Sequence, residues 1–183
     1  MTEYTVFGIP REKNRVEMLA EQAIKHFENN KNVSELVSPS TYSISSKDIN
    51  GRKLSGDDVG IYVISRMGPV SWLYVGSSDY TIQRRIVQWR KAVLEIQCNG
   101  DPKYQYAKTY KDRFGKNMDY VKLSWFPVDM TSYTKKEIKD AEKIVIMYYL
   151  SKYGRDIVAN KSINTNVASS RKKVKEEFAV LPV

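Results

Sequence analysis

Two short tripeptides, Gly60-Ile61-Tyr62 and Tyr74-Val75-Gly76, stand eleven residues apart; Arg84 follows Gly76 by eight positions, and Glu142 lies much further on. Residues of these types suit phosphodiester hydrolysis, which needs a deprotonated nucleophile, neutralised charge on the non-bridging oxygens and help for the leaving oxygen. The Arg84 guanidinium is a permanently charged, planar donor matched to a phosphate in the transition state. A tyrosine is a poor base at its free pKa of about 10 and needs a nearby cation to act as one.

Each residue taken alone has a plainer reading. Tyr62 and Tyr74 are ordinary sheet-packing residues. Arg84 and Arg85 together look like a solvated helix face. Glu142 sits beside Asp140 and Lys143, where a surface salt bridge of little energetic weight is the usual outcome. What sets these residues apart is their joint spacing, so the elements that carry them matter.

The runs Gly60 to Ser65 and Ser71 to Val75 flank a Gly68-Pro69 turn and predict a β-hairpin. From Asp79 to Gln97, Ile82, Ile86, Trp89, Val93 and Leu94 recur at helical spacing until Asn99-Gly100-Asp101-Pro102 stops the pattern. A further helix is expected from about Lys103 to Phe114, with Gly115 as its C′ residue. Its stripe of Tyr106, Tyr110 and Phe114 is expected to be buried. Met118 to Phe126 alternates as a third strand and ends at Pro127. Thr134 to Tyr153 is the longest helix, with Thr134 as N-cap and Gly154 beyond its end. Before all of these, Arg11 to Asn30 places Val16, Leu19, Ala20, Ala23, Ile24 and Phe27 on one helical stripe. Ser34 to Gly56 reads as a connector with a short strand near Thr41 to Ile44, and Ser170 caps a last helix through Phe178.

The order strand, turn, strand, helix, with these tripeptides and Arg84 upon it, resembles the GIY-YIG nuclease family. The resemblance extends from about Asp57 to Asn166: Gly115 ends the second helix, a strand follows, and Glu142 matches the family's metal-binding glutamate. Asn160, or else Asn164, takes the place of the asparagine that closes the family's domain. It implies that Tyr62 or Tyr74 accepts a proton from the attacking water, with Tyr62 leading, and that Glu142 holds one divalent cation. Mg²⁺ is the expected ion, because it keeps several waters and takes substrate phosphate as a further ligand; Mn²⁺ is acceptable on ligand hardness. Asn160 is expected to orient the site, and Gly76, Ser77 and Arg85 are expected to lie against the nucleic acid. Trp89 departs from the family, where many members carry a histidine.

Charge agrees with a polyanionic partner. The net charge is +9, yet residues 1 to 50 carry six Lys or Arg against seven Asp or Glu, so the excess lies wholly in 51 to 183. Lys103, Lys108, Lys111, Arg113 and Lys116 form one candidate phosphate-tracking surface, where Tyr104 could stack on a base. Arg171, Lys172 and Lys173 form another: at the start of a helix they oppose the macrodipole, which suggests a use other than local stability. His26, the single histidine, is expected to be a surface or packing residue. Cys98 is the single cysteine, which excludes an internal disulfide and a cysteine-based zinc cluster and leaves it a packing role. No stretch has the apolar length of a membrane span, and Met1-Thr2-Glu3-Tyr4 lacks a signal-peptide pattern, so a cytoplasmic location without a membrane partner is expected.

The expected fold is α/β in the mixed, α+β sense: a small, mainly antiparallel three-stranded sheet flanked by helices. Residues 1–56 form an N-terminal helical arm and linker, 57–166 the nuclease domain and 167–183 a basic tail. The expected function is metal-dependent cleavage of DNA, foremost double-stranded DNA, by a stand-alone restriction-type or phage-type endonuclease. A silent nucleic-acid-binding module, or a nuclease acting on RNA or branched DNA, are the rivals. The N-terminal stripe would serve either a homodimer contact or packing on its own domain.

Overall fold

A computed structural model describes the chain over residues 14–29, 34–35, 54, 56–66, 68, 71–94, 105–118 and 120–160. In chain order the elements are α1 (Arg15–Asn29), β1 (Ser34–Glu35), β2 (Gly60–Arg66), β3 (Trp72–Ser78), α2 (Ile82–Val93), α3 (Gln105–Phe114), β4 (Val121–Pro127) and α4 (Lys135–Tyr153). The sheet order is β1-β4-β2-β3. Three seven-residue antiparallel strands make up its body, and the two-residue β1 extends the β4 edge, where a connector was expected.

Alternation along the central strand divides the interior into two cores. Ile61 and Val63 face one way with Leu73 and Val75, and are covered by α1 and α4 through Leu19, Ala23, Phe27, Ile138, Ala141 and Val145. Tyr62 and Ile64 face the other way with Trp72, and are covered by α2 and α3 through Ile82, Ile86, Trp89 and Tyr110. Burying each large apolar side chain contributes about 1.5–3 kcal/mol, so α1 is an integral layer of the domain. The stripe that a dimer contact would have used is covered within its own chain, and His26 packs edge-on against Phe27 and Phe126.

Local chemistry explains the boundaries. Thr134 and Glu137 form a reciprocal capping box at the start of α4, and the Gly154 amide bonds Leu150 at its end. Asn14 and Glu17 form an equivalent exchange at α1. Thr81 caps α2 by accepting from the Arg84 amide, so this helix begins at Ile82 and not at Asp79. Gly115, with φ of 60°, ends α3 by bonding its amide to Lys111 O at 2.7 Å. Gly60 has φ of 146°, and a Cβ there would lie 2.1 Å from the Phe126 carbonyl oxygen, so β2 and β4 can close at this end only on a glycine.

Beyond α4 the chain returns to the open edge of β3. Leu73 donates to Ile157 O at 2.9 Å and accepts from the Ala159 amide at 2.7 Å, a parallel bridge that covers part of the edge. Among the described residues no helix is long and apolar enough to cross a membrane.

Candidate active site

The site forms where β3 leaves the sheet. Tyr62 on β2 pairs with Gly76 on β3, and the phenol of Tyr62 lies across that glycine. A Cβ at Gly76 would fall 2.5 Å from Tyr62 Cζ and 2.6 Å from its hydroxyl oxygen. The first tripeptide's tyrosine and the second tripeptide's glycine are thus two halves of one packing unit, and the close approach at Gly76 comes from within the chain.

Tyr62 and Tyr74 lie on the same face with ring centroids 6.3 Å apart. Tyr106 of α3 stacks on Tyr74 at 4.3 Å with 12° between the planes. Burial pushes the Tyr62 phenol well above its ordinary value; Tyr74, Tyr106 and the negative charge of Glu142 push the same way, and Arg85 opposes them. Tyr74 is raised for the same first reason, with Tyr106 and Glu142 adding to it and Arg85 again opposing. Both phenols are therefore neutral at neutral pH.

Glu142 is not on a solvated face. It is 5% exposed, and its Oε2 accepts from the Ser77 hydroxyl and from Lys139 Nζ at 2.8 Å. The surface salt bridge of this helix face belongs instead to its neighbours, with Lys143 Nζ 2.7 Å from Asp140. Ser77 thereby links the end of β3 to α4. Asn160 holds the same strand from outside: its Oδ1 accepts from the Val75 amide at 3.0 Å and its Nδ2 donates to Val75 O at 2.7 Å. It acts as a one-residue strand mimic, a positioning role.

Both arginines of α2 are exposed. The Arg84 guanidinium lies 5.1 Å from the centroid of the Tyr80 ring. Arg85 follows Ile82 by three residues and precedes Trp89 by four, so it borders the buried stripe, and its positive charge opposes the upward shift of both site tyrosines. The structure thus brings together Tyr62, Tyr74, Gly76, Ser77, Glu142 and Asn160, with the exposed Arg84 and Arg85 on the neighbouring helix α2. Lys139 was missed, although it stands three residues before Glu142 on one helix face.

Trp89 is wholly interior, stacked on Trp72 at 6.1 Å and edge-on to Tyr110 at 5.3 Å, which explains an aromatic residue at this point. Lys108 is exposed and Lys111 half-buried on α3. Lys103, Tyr104, Cys98, Asn164, Arg171, Lys172 and Lys173 lie outside the described residues, as do the connector strand near 41–44 and the tail helix.

Among the described residues no group of three or more His, Cys, Asp or Glu could hold a metal ion. The donor set still fits a hydrated divalent cation on one carboxylate: both hydrogen bonds to Glu142 fall on Oε2, and Lys139 is exposed over 62% of its side chain and free to withdraw. The chain matches no protein-family model, no curated protein and no solved structure.

Proposed function

We propose that this chain is a metal-dependent endonuclease of the GIY-YIG type that hydrolyses DNA phosphodiester bonds. The observation that carries the reading is the convergence of Tyr62, Tyr74 and Glu142, from two strands and a helix, around Gly76 and Ser77, with the charges of Arg84 and Arg85 on the adjoining helix α2. Separately these are common residues. Together they supply hydroxyls to hold a water, a cation for a phosphate and a carboxylate for a metal ion.

Water attacks phosphorus and the bond to the leaving oxygen breaks. Tyr62 and Tyr74, both neutral, orient the water and relay its proton to the leaving oxygen, each phenol giving up its own proton as it receives another; for either to act instead as an ionised base, a nearby cation must lower it, and Arg85 acts in that direction. Arg85 also places a fixed positive charge where negative charge gathers on the non-bridging oxygens. Glu142 would hold Mg²⁺ or Mn²⁺, which when bound supplies further neutralisation of the phosphate. Ser77 fixes the carboxylate, Lys139 neutralises it until a metal ion takes its place, and Asn160 fixes the strand that presents Tyr74.

Nicking of supercoiled plasmid with Mg²⁺ and with chelator tests the reading. Cleavage that needs the ion and is lost in Glu142→Ala and Arg85→Ala is the expected result. A folded protein that binds DNA and never cuts it would leave the silent binding module in its place. Duplex, single-stranded, branched and RNA substrates compared side by side separate DNA cleavage from the remaining rivals.

A further inference from the structure

Tyr80 is a large aromatic residue that the site does not absorb. It is 68% exposed, in the loop between β3 and α2, three residues after the serine that binds Glu142. A ring left in water forgoes the stabilisation of burial. Here it is also held in place, which adds an entropic cost. Ser78 Oγ donates to Thr81 O at 2.8 Å and accepts from the Tyr80 amide at 3.3 Å. Asp79 reaches Lys135, the first residue of α4, at 3.4 Å. Ser77 ties the same loop to Glu142, and Thr81 caps α2. The four residues around it, Ser77, Ser78, Asp79 and Thr81, thus hold the backbone of Tyr80 at the rim of the site, with the Arg84 guanidinium over its ring.

Other described features carry less. Tyr120 is 70% exposed with φ of 65°, but it adjoins the β4 residue that pairs with Arg66, at the opposite end of the strands from Ser78. That separation is about 20 Å at the rise of a strand. The buried indole nitrogens of Trp89 and Trp125 lack hydrogen-bond partners among the described residues, but they lie within the closed α2 and α3 core.

We propose that Tyr80, backed by Arg84, is a stacking platform for an unpaired nucleobase beside the scissile phosphate. This deepens the nuclease reading and rests on it for the location of that phosphate. The substrate class it selects is nucleic acid with a base out of the duplex stack: a single strand, a bulge or a branch. Stacking on an aromatic face is sequence-tolerant, because every base has such a face, and the adjacent guanidinium adds both a cation–π contact and a charge for the flanking phosphate. Arg85 and Arg84 then divide the work, one toward the tyrosine pair and the other toward the bound strand.

Fluorescence anisotropy in chelator measures binding without cleavage. The probes are a labelled single-stranded oligonucleotide, the same strand carrying abasic sites throughout, and a duplex with and without one bulged nucleotide. Tyr80→Ala is expected to weaken binding of the single strand and the bulged duplex by roughly five- to 150-fold, the range for loss of one stacked base. The abasic strand and the perfect duplex should change less than about two-fold, and Tyr80→Phe should restore binding. Tyr80→Leu, which keeps bulk without a π face, repeats the comparison if the alanine variant melts early. Unchanged binding of the single strand, an equal loss on the abasic strand, or no binding of any strand by the wild type overturns the platform. Plasmid cleavage is scored separately: cutting with binding indifferent to Tyr80 removes the platform alone, whereas Tyr80-dependent binding without cutting removes the nuclease alone.

Discussion

Gly76→Ala isolates the packing unit at the centre of the site. The backbone there is not left-handed, so alanine is conformationally allowed and by itself would stabilise by about 0.4–1 kcal/mol through the unfolded chain. The new methyl would instead meet Tyr62 Cζ at 2.5 Å and its oxygen at 2.6 Å. Normal contact is near 3.5 Å, so the ring tip must move by about 1 Å. Tyr62 is only 2% exposed and has little room, so overpacking should cost about 1–3 kcal/mol. The net cost is about 0–2.6 kcal/mol, which at roughly 2–4 °C per kcal/mol for a chain of this size lowers the melting temperature by up to about 10 °C. A displacement of 1 Å in a group that orients the nucleophile costs about 10²-fold in rate. The assay is a double-mutant cycle by urea denaturation, with cleavage measured alongside. Tyr62→Phe leaves the ring carbon in place, so the penalty should persist; Tyr62→Ala removes it, so the penalty should vanish or change sign. A Gly76→Ala protein as stable and active as wild type, or a penalty undiminished beside Tyr62→Ala, would refute the reasoning.

The remaining expectations concern the metal, alkaline pH and the strand edge. Glu142→Gln should abolish Mn²⁺ binding followed by electron paramagnetic resonance, and Lys139→Met should tighten it by roughly five-fold by removing a competing charge at water-like screening; retained binding in the first would take Glu142 out of the metal site. Tyr62 and Tyr74 have folded-state values above the ordinary 10.0, so their stabilising contribution is complete below pH 10 and is lost as pH rises through the folded value. Tyr62→Phe should therefore raise the midpoint of alkaline unfolding followed by circular dichroism, and a lowered midpoint would contradict the assigned burial. Asn160→Ala removes two bonds to Val75 and should cost about 1–3 kcal/mol. Asn160→Asp keeps the acceptor but sets an oxygen against Val75 O, so its thermal melt should not recover; full recovery would dismiss the strand-mimic role.

Much of the fold was legible in local chemistry. Thr134, Glu137 and Gly154 mark both ends of α4, and Gly115 marks the end of α3, because caps satisfy orphan backbone groups within a turn. The short apolar run from Gly60 to Ser65, followed by the Gly68-Pro69 turn, pointed to a strand. It was less informative about helix starts, since Thr81 captures the Arg84 amide and shortens α2 by three residues at that end. For the site, spacing singled out Tyr62, Tyr74, Arg84 and Glu142 but did not show how Arg84 and Arg85 are turned. A count of residues along the chain carries no phase, whereas the direction of a helical side chain turns by about 100° at each residue.

The sequence by itself determined the types and order of the elements from β2 to α4 and the segregation of positive charge into 51–183. Only the tertiary structure decided why glycine is needed at positions 60 and 76: one passes a carbonyl of β4, the other lies beneath the ring of Tyr62. It also decided that α1 covers its own sheet, that Ser77 meets Glu142 across 65 residues, and that Asn160 closes the β3 edge across 85. The reason is the same in each case. Periodicity and capping are set by neighbours within a turn or a pleat, while the partner of a buried polar or aromatic group is set by which elements pack together, and that is a property of the whole chain.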